Sequence, residues 1–329
     1  MKLLVLTQKV DKKDPILGFF HKWIEEFAKR CENVIVICLQ KGECDLPDNV
    51  KVFSLGKEGG ISKFKYIKNF YKYIWCERKN YDTVFVHMNQ EYVLIGWLFW
   101  RLMGKKIFLW RNHKKGNIFT RIAVALSSKV FYTSEFSFTA RFENSIKMPV
   151  GVDINLFKAQ DQKHEIQNRI LSFGRVDPVK KIHILIDALE LTGKLSLVDI
   201  YGEGQGEYYE NIKKKIKIFN NVPNGKAPEI YKQYDIFVNM TQSGSFDKTI
   251  IEAMVSGLIP VVCNKSLAVV LPKELIFKED DARDLAIKIE YALNISQEER
   301  GNLAGKFREW VEEKHSLDLL TEKLILIMK

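Results

Sequence analysis

Between residues 34 and 39 the chain reads Val34-Ile35-Val36-Ile37-Cys38-Leu39, an apolar run with no polar interruption. A strand with one wet face alternates apolar and polar residues. An unbroken run of strand length is instead covered on both faces, as in a parallel sheet lying between helices. Parallel neighbours need a crossover, and the preceding stretch supplies one. Residues 19–30 put Phe20, Trp23, Ile24 and Phe27 on one helical face, behind a first strand at Leu3-Leu4-Val5-Leu6. Strand, helix and parallel strand in this order wind right-handed and open a doubly wound α/β sheet.

The pattern continues. Residues 82–87 read as a strand ending in His87, 93–103 as a helix stopped by Gly104, and 106–110 as a strand delivering the loop Arg111-Asn112-His113-Lys114-Lys115-Gly116. Residues 130–135 read as the last strand of the first half. Between these lies a helix at 62–79 with an apolar stripe of Phe64, Ile67, Tyr71, Ile74 and Trp75. Lysines and arginines crowd its remainder. This predicts a crossover helix with its stripe in the core and a solvated basic face, and the same basic face suits anionic lipid headgroups. Ligands of such sheets bind beyond the carboxyl ends of strands, so His87 and His113 are both placed to see a cleft. His87 is read as a polar loop residue without a ligand, and His113 as functional.

With 329 residues and a hydrophobic fraction of 46%, the chain suits two domains with substantial cores. A net charge of +10 favours acidic partners. No nucleic-acid-binding motif accompanies that charge, so nucleic acid is not expected as a partner. The five cysteines are an odd number without metal-ligand spacing, and they read as the reduced thiols of a cytoplasmic protein. The longest apolar run, at 92–103, is interrupted by Arg101 and falls short of the roughly 20 residues of a membrane span.

In the second half, a buried strand ends at Gly174, and a turn presents Arg175 and Lys180 before a helix at 183–189. A strand at 195–201 runs into Gly202 and Gly204. The apolar run at 234–240 precedes the densest stretch, Ser243-Gly244-Ser245-Phe246-Asp247-Lys248-Thr249-Ile250-Ile251-Glu252. Gly244 and its serines leave backbone N–H groups uncovered at a helix start, where the dipole favours anions. Glu252, further along the helix, is placed to accept hydrogen bonds from a diol. The plain alternative is an ordinary strand–turn–helix–strand unit with Glu252 merely solvated. Gly257 suits the end of that helix, and Pro260 follows where a helix could not continue. Residues 159–167 read as a linker; 280–292, 297–314 and 316–329 read as terminal helices.

Asp247-Lys248, Glu252-Ala253-Met254, Gly257 and Pro260-Val261-Val262 together resemble the donor-site signature of retaining, GT-B-fold glycosyltransferases of family 4. Gly174-Arg175 and Lys180 resemble the family's Gly-Arg-Leu-x-x-x-Lys-Gly motif, with Lys181 at its second glycine. Residues 149–157 resemble its interdomain motif, with Val150 in place of Asn. Gly202-x-Gly204 is similar to the loop near the nucleotide base, and His113 matches a histidine near the transferred sugar. Gly18 occupies the place of the N-terminal glycine-rich loop. Gly244 stands where the family's first Glu contacts the sugar, and Asp247 is a candidate replacement.

The resemblance implies two Rossmann-like doubly wound domains facing across a cleft: an acceptor domain at 1–158, a donor domain at 168–315, and a helix at 316–329 crossing back. It implies retaining transfer of a sugar, of UDP-hexose type, to a hydroxyl of a glycan or lipid-linked glycan in cell-surface polysaccharide or glycolipid synthesis. His113, Arg175 and Lys180 are the expected catalytic residues. Gly18, Arg175, Lys180, Gly202, Gly204, Ser245, Phe246, Asp247, Lys248, Thr249 and Glu252 are expected to bind the donor. No metal or other cofactor is expected. The expected location is cytoplasmic, with peripheral contact at the inner membrane face through 62–79. A nucleotide-sugar epimerase and a non-catalytic binding protein of the same fold remain the alternatives.

Overall fold

The computed structural model describes residues 1–157, 167–244 and 246–329. The linker expected at 159–167 lies outside them except for Gln167, as does Ser245. The chain divides into two compact units, one of Met1–Pro149 with Leu317–Lys329, the other of Val150–Ser316.

The first unit runs β1 (Lys2–Val10), α1 (Phe19–Arg30), β2 (Asn33–Lys41), β3 (Val50–Ser54), α2 (Lys63–Cys76), β4 (Thr83–His87), α3 (Glu91–Leu102), β5 (Lys106–Trp110), α4 (Ile118–Leu126), β6 (Lys129–Tyr132) and β7 (Ser145–Lys147). Its strands pair in parallel in the order β3-β2-β1-β4-β5-β6-β7. The apolar run at 34–39 is the middle of β2, and both its faces are covered. Val34, Val36 and Cys38 join the cluster containing Phe20, Trp23 and Phe27 of α1. Ile35 and Ile37 join the opposite cluster, under α2, α3 and α4.

Three features depart from the sequence expectation. The strand at 130–135 is not the last of its sheet, because β7 follows it at the edge. β3 and β7 are edge strands without a fully buried residue, so neither is written as an unbroken apolar run. The third departure is in α2, whose expected core stripe faces outward at every residue but Ile74. Phe64 is 85% exposed and Trp75 55%, while Phe70 and Ile74 are the buried pair. Ile74 is thus the one stripe residue that is buried, and Phe70, one turn before it, shares that side, so the helix is rotated from the orientation its periodicity suggests.

The second unit runs β8 (Ile170–Phe173), α5 (Ile182–Thr192), β9 (Val198–Tyr201), α6 (Gly206–Lys215), β10 (Ile218–Phe219), α7 (Ala227–Tyr231), β11 (Ile236–Asn239), α8 (Lys248–Val255), β12 (Ile259–Val262), α9 (Ala282–Asn294) and α10 (Gln297–His315). Its parallel order is β10-β9-β8-β11-β12. Strand order therefore reverses between β8 and β11, as it does between β1 and β4 in the first unit. Such reversals open a crevice at the carboxyl ends of the two strands.

The last helix, α11 (Leu317–Met328), belongs to the first unit. Leu320, Leu324, Ile325 and Met328 are buried in the cluster that holds α1. Arg30 and Asp318 form an ion pair between the two helices.

Candidate functional site

In the second unit the crevice is bordered by the turn after β8 and the loop after β11. Gly174 takes φ 140°, which lets the chain leave the strand sharply. The turn then lies against the Gly202–Gly204 loop. Gly174 N donates to Tyr201 O at 3.0 Å, and Val176 N to Glu203 O at 2.9 Å. A Cβ on Gly202 would sit 1.9 Å from Gly174 O, and one on Gly204 2.2 Å from Val176 O. Both glycines are thus required by the close approach of two backbones. Arg175 projects from this turn, exposed, with Asp177 Oδ2 3.2 Å away. Lys181, standing at the family's glycine, takes φ 52°. A lysine therefore carries the left-handed conformation that a glycine would adopt without strain.

Lys180 turns inward. Its Nζ pairs with Asp247 Oδ2 and lies 3.2 Å from Thr241 Oγ1. The same Oδ2 accepts from Asn239 Nδ2 at 2.9 Å and Thr241 Oγ1 at 3.1 Å. Asp247 is the N-cap residue of α8, a position where Asp commonly bonds the first turn, yet its side chain makes no cap bond. Burial alone would raise its pKa. The Lys180 charge and the converging donors outweigh burial and hold it at about 2.

One turn further along α8 the environment changes. Glu252 is 3% exposed, so it is not the solvated acid of the plain alternative. Tyr231 Oη donates to its Oε2 at 3.2 Å, and Asn224 Nδ2 to its Oε1 at 3.3 Å. Burial pushes the Glu252 carboxyl up, opposed by the charge of Lys248 and by the Tyr231 hydrogen bond. Burial lowers Lys248 in turn, opposed by Glu252 and Asp153. The Thr249 Oγ1, in the first turn of α8, is buried without a hydrogen-bond partner among the described residues. Phe246 is buried in the core and lies 5.5 Å from the His315 ring. Gly244 takes φ 105°, a conformation that the family's glutamate at this place would adopt only with strain.

Lys180, Asp247, Asn239 and Thr241 therefore form one cluster, and Glu252, Lys248, Tyr231 and Asn224 a second on the same helix. Asn224, Tyr231, Asn239 and Thr241 were not anticipated from sequence. Asn239 and Thr241 lie at and just beyond the end of an apolar strand, where a polar residue is a weak hint. Asn224 and Tyr231 sit in a connection without any motif.

Gly18 and His113 belong to the first unit. Gly18 closes a tight turn ahead of α1: its N donates to Asp14 O at 3.0 Å, and a Cβ would fall 2.4 Å from that oxygen. His113 is exposed in the loop after β5, its Nδ1 accepting from Lys115 N at 3.0 Å. In the same loop Arg111 Nε is buried with no hydrogen-bond partner among the described residues. His87 is no polar loop residue. It ends β4, 5% exposed, stacked on Phe20 at 4.2 Å with Thr7 Oγ1 3.3 Å from its Nδ1. Among the described residues no three His, Cys, Asp or Glu side chains are grouped to hold a metal.

A family model for glycosyl transferases group 1 matches residues 167–294, and a glycosyl transferase 4-like model matches residues 16–110. No curated protein sequence matches the chain significantly. Among solved structures, Anabaena HepE, determined with UDP and glucose, superposes with a TM-score of 0.76 at 18% identity, covering 99% of each chain. The sucrose-phosphate synthase of Thermosynechococcus elongatus gives 0.75 at 14% identity, over 99% of this chain and 98% of its own. A glycosyltransferase of Rickettsia africae gives 0.72 at 15% identity, over 100% and 98%. With the reversal of strand order in both sheets and these matches over both halves, the chain belongs to the GT-B-fold glycosyltransferases, pairing a glycosyl transferase 4-like domain with a group 1 domain.

Proposed function

We propose that the chain transfers a hexose from a UDP-hexose to a hydroxyl of a glycan or lipid-linked glycan, with retention of anomeric configuration. The observation that supports this most is the buried Glu252, gripped by Tyr231 and Asn224 beneath a helix start whose Thr249 hydroxyl is unpartnered. Glu252 would hold the ribose diol, while Lys248, Thr249 and the backbone at the start of α8 would face the donor's phosphates and sugar. As the glycosidic bond breaks, negative charge gathers on the departing diphosphate. Arg175 and Lys180 would then stabilise the transition state more than the ground state, with no metal invoked. The departing phosphate would take the acceptor proton. His113 would contact the sugar, and Gly202 and Gly204 would lie by the base. The UDP and glucose held by HepE support the donor type. The reading extends to cell-surface polysaccharide or glycolipid synthesis at the inner face of the cytoplasmic membrane, with α2 touching anionic lipid.

Calorimetric titration with UDP, GDP, ADP, CMP and NAD in metal-free buffer tests the donor site. Selective binding of UDP is expected, and Glu252→Ala should weaken it by at least about tenfold, the loss of roughly one charge-assisted hydrogen bond. Equal UDP affinity in the two proteins would remove Glu252 from the site. Preference for NAD would overturn the nucleotide-sugar reading.

A further inference from the structure

The outward stripe of α2 is one part of a larger surface. On α3, Leu98 is 61% and Leu102 80% exposed; on α4, Ile118 is 61% and Phe119 56% exposed. These helices are neighbours on one face of the first sheet. They share one core cluster beneath. Tyr71 Oη of α2 donates to Ile95 O of α3 at 2.8 Å, and the rings of Trp75 and Phe99 lie 5.8 Å apart. Large apolar side chains scattered singly over a surface need no explanation, but a contiguous face of them on three adjacent helices does.

Charge indicates what covers it. Within the three helices stand six cations, Lys63, Lys65, Lys68, Lys72, Arg101 and Arg121, all exposed, against one acid, Glu91. On α2, Lys65, Lys68 and Lys72 run along one side of the Phe64–Trp75 stripe, as helical spacing places them. Apolar side chains beside a cationic border match the boundary between acyl chains and anionic headgroups. A second copy of this chain would bring cations against cations.

We propose that the α2–α3–α4 face inserts its apolar side chains into an anionic bilayer surface, so that the first unit is held by acyl-chain contact as well as by charge. This deepens the lipid contact of α2 proposed above, and it stands apart from the donor chemistry.

The test is co-sedimentation of the full chain with vesicles of half phosphatidylglycerol and half phosphatidylcholine, without nucleotide. Binding is expected to persist in part at about 0.5 M salt, where the Debye length has shrunk to a few ångströms. The double variant Phe64→Ser with Leu102→Ser should bind at least about tenfold less, since both side chains leave water on insertion. Its melting temperature and UDP titration should match those of the parent, which separates failure here from failure of the donor site. Binding abolished by salt and unmoved by the variant would leave only a basic docking face and overturn insertion. Absence of vesicle binding would overturn it too. If sedimentation velocity then showed a dimer that the double variant dissociates, the face would belong to a second copy.

Discussion

Asp247 shows how one side chain can leave a structural role for another. Its type and place predict a helix cap, and its neighbours convert it into the counterion of Lys180. The folded carboxyl sits at about 2 against an ordinary 3.8, so the pair stabilises the fold at any pH above about 4 and loses that contribution as pH falls toward 2. Asp247→Asn should therefore cost on the order of 2 kcal/mol at pH 7. Urea unfolding of both proteins should show the gap narrowing between pH 4 and pH 2; a constant gap would deny the ion pair its role. Glu252 was legible in sequence because it sits in a motif. Its partners were not, since Tyr231 and Asn224 precede it by 21 and 28 positions and meet it only through folding.

At the scale of elements, the buried strands were readable because parallel strands covered on both sides are written as continuous apolar runs. Several helices were readable in extent but not always in orientation, and α4, α6 and α7 were not anticipated at all. For α2 the periodic stripe proved to be exposed at all but Ile74, because periodicity reports that a face is apolar and not what meets it. In α11, by contrast, the apolar face is buried: Leu324 is 0% exposed within the cluster of α1. Leu324→Ala should cost about 2–5 kcal/mol, the usual loss for a buried leucine. Trp23 and Trp110 lie in the same cluster, so the shift should be read in tryptophan fluorescence during urea unfolding. An unchanged midpoint would mean that α11 adds little to that core.

Across the whole molecule, the first unit is assembled from both ends of the chain, Met1–Pro149 and Leu317–Lys329, around an uninterrupted second unit. Removing residues 317–329 should therefore destabilise the unit far from the cut in sequence while Val150–Ser316 keeps its fold. Hydrogen exchange should show protection lost in β1, α1 and β2 and retained in β8 and β11. Loss in both units would indicate that they do not fold separately. The sequence by itself determined the parallel α/β class, because strands covered on both faces are set by local pattern and spacing. Tertiary structure alone decided which face of α2 is wet, that Asp247 answers Lys180 from 67 positions away, and that Gly202 and Gly204 exist to let one loop close on another. Those contacts depend on which surfaces meet, and residues distant in the chain carry no local record of the neighbours they will acquire, even where a motif marks the residues themselves.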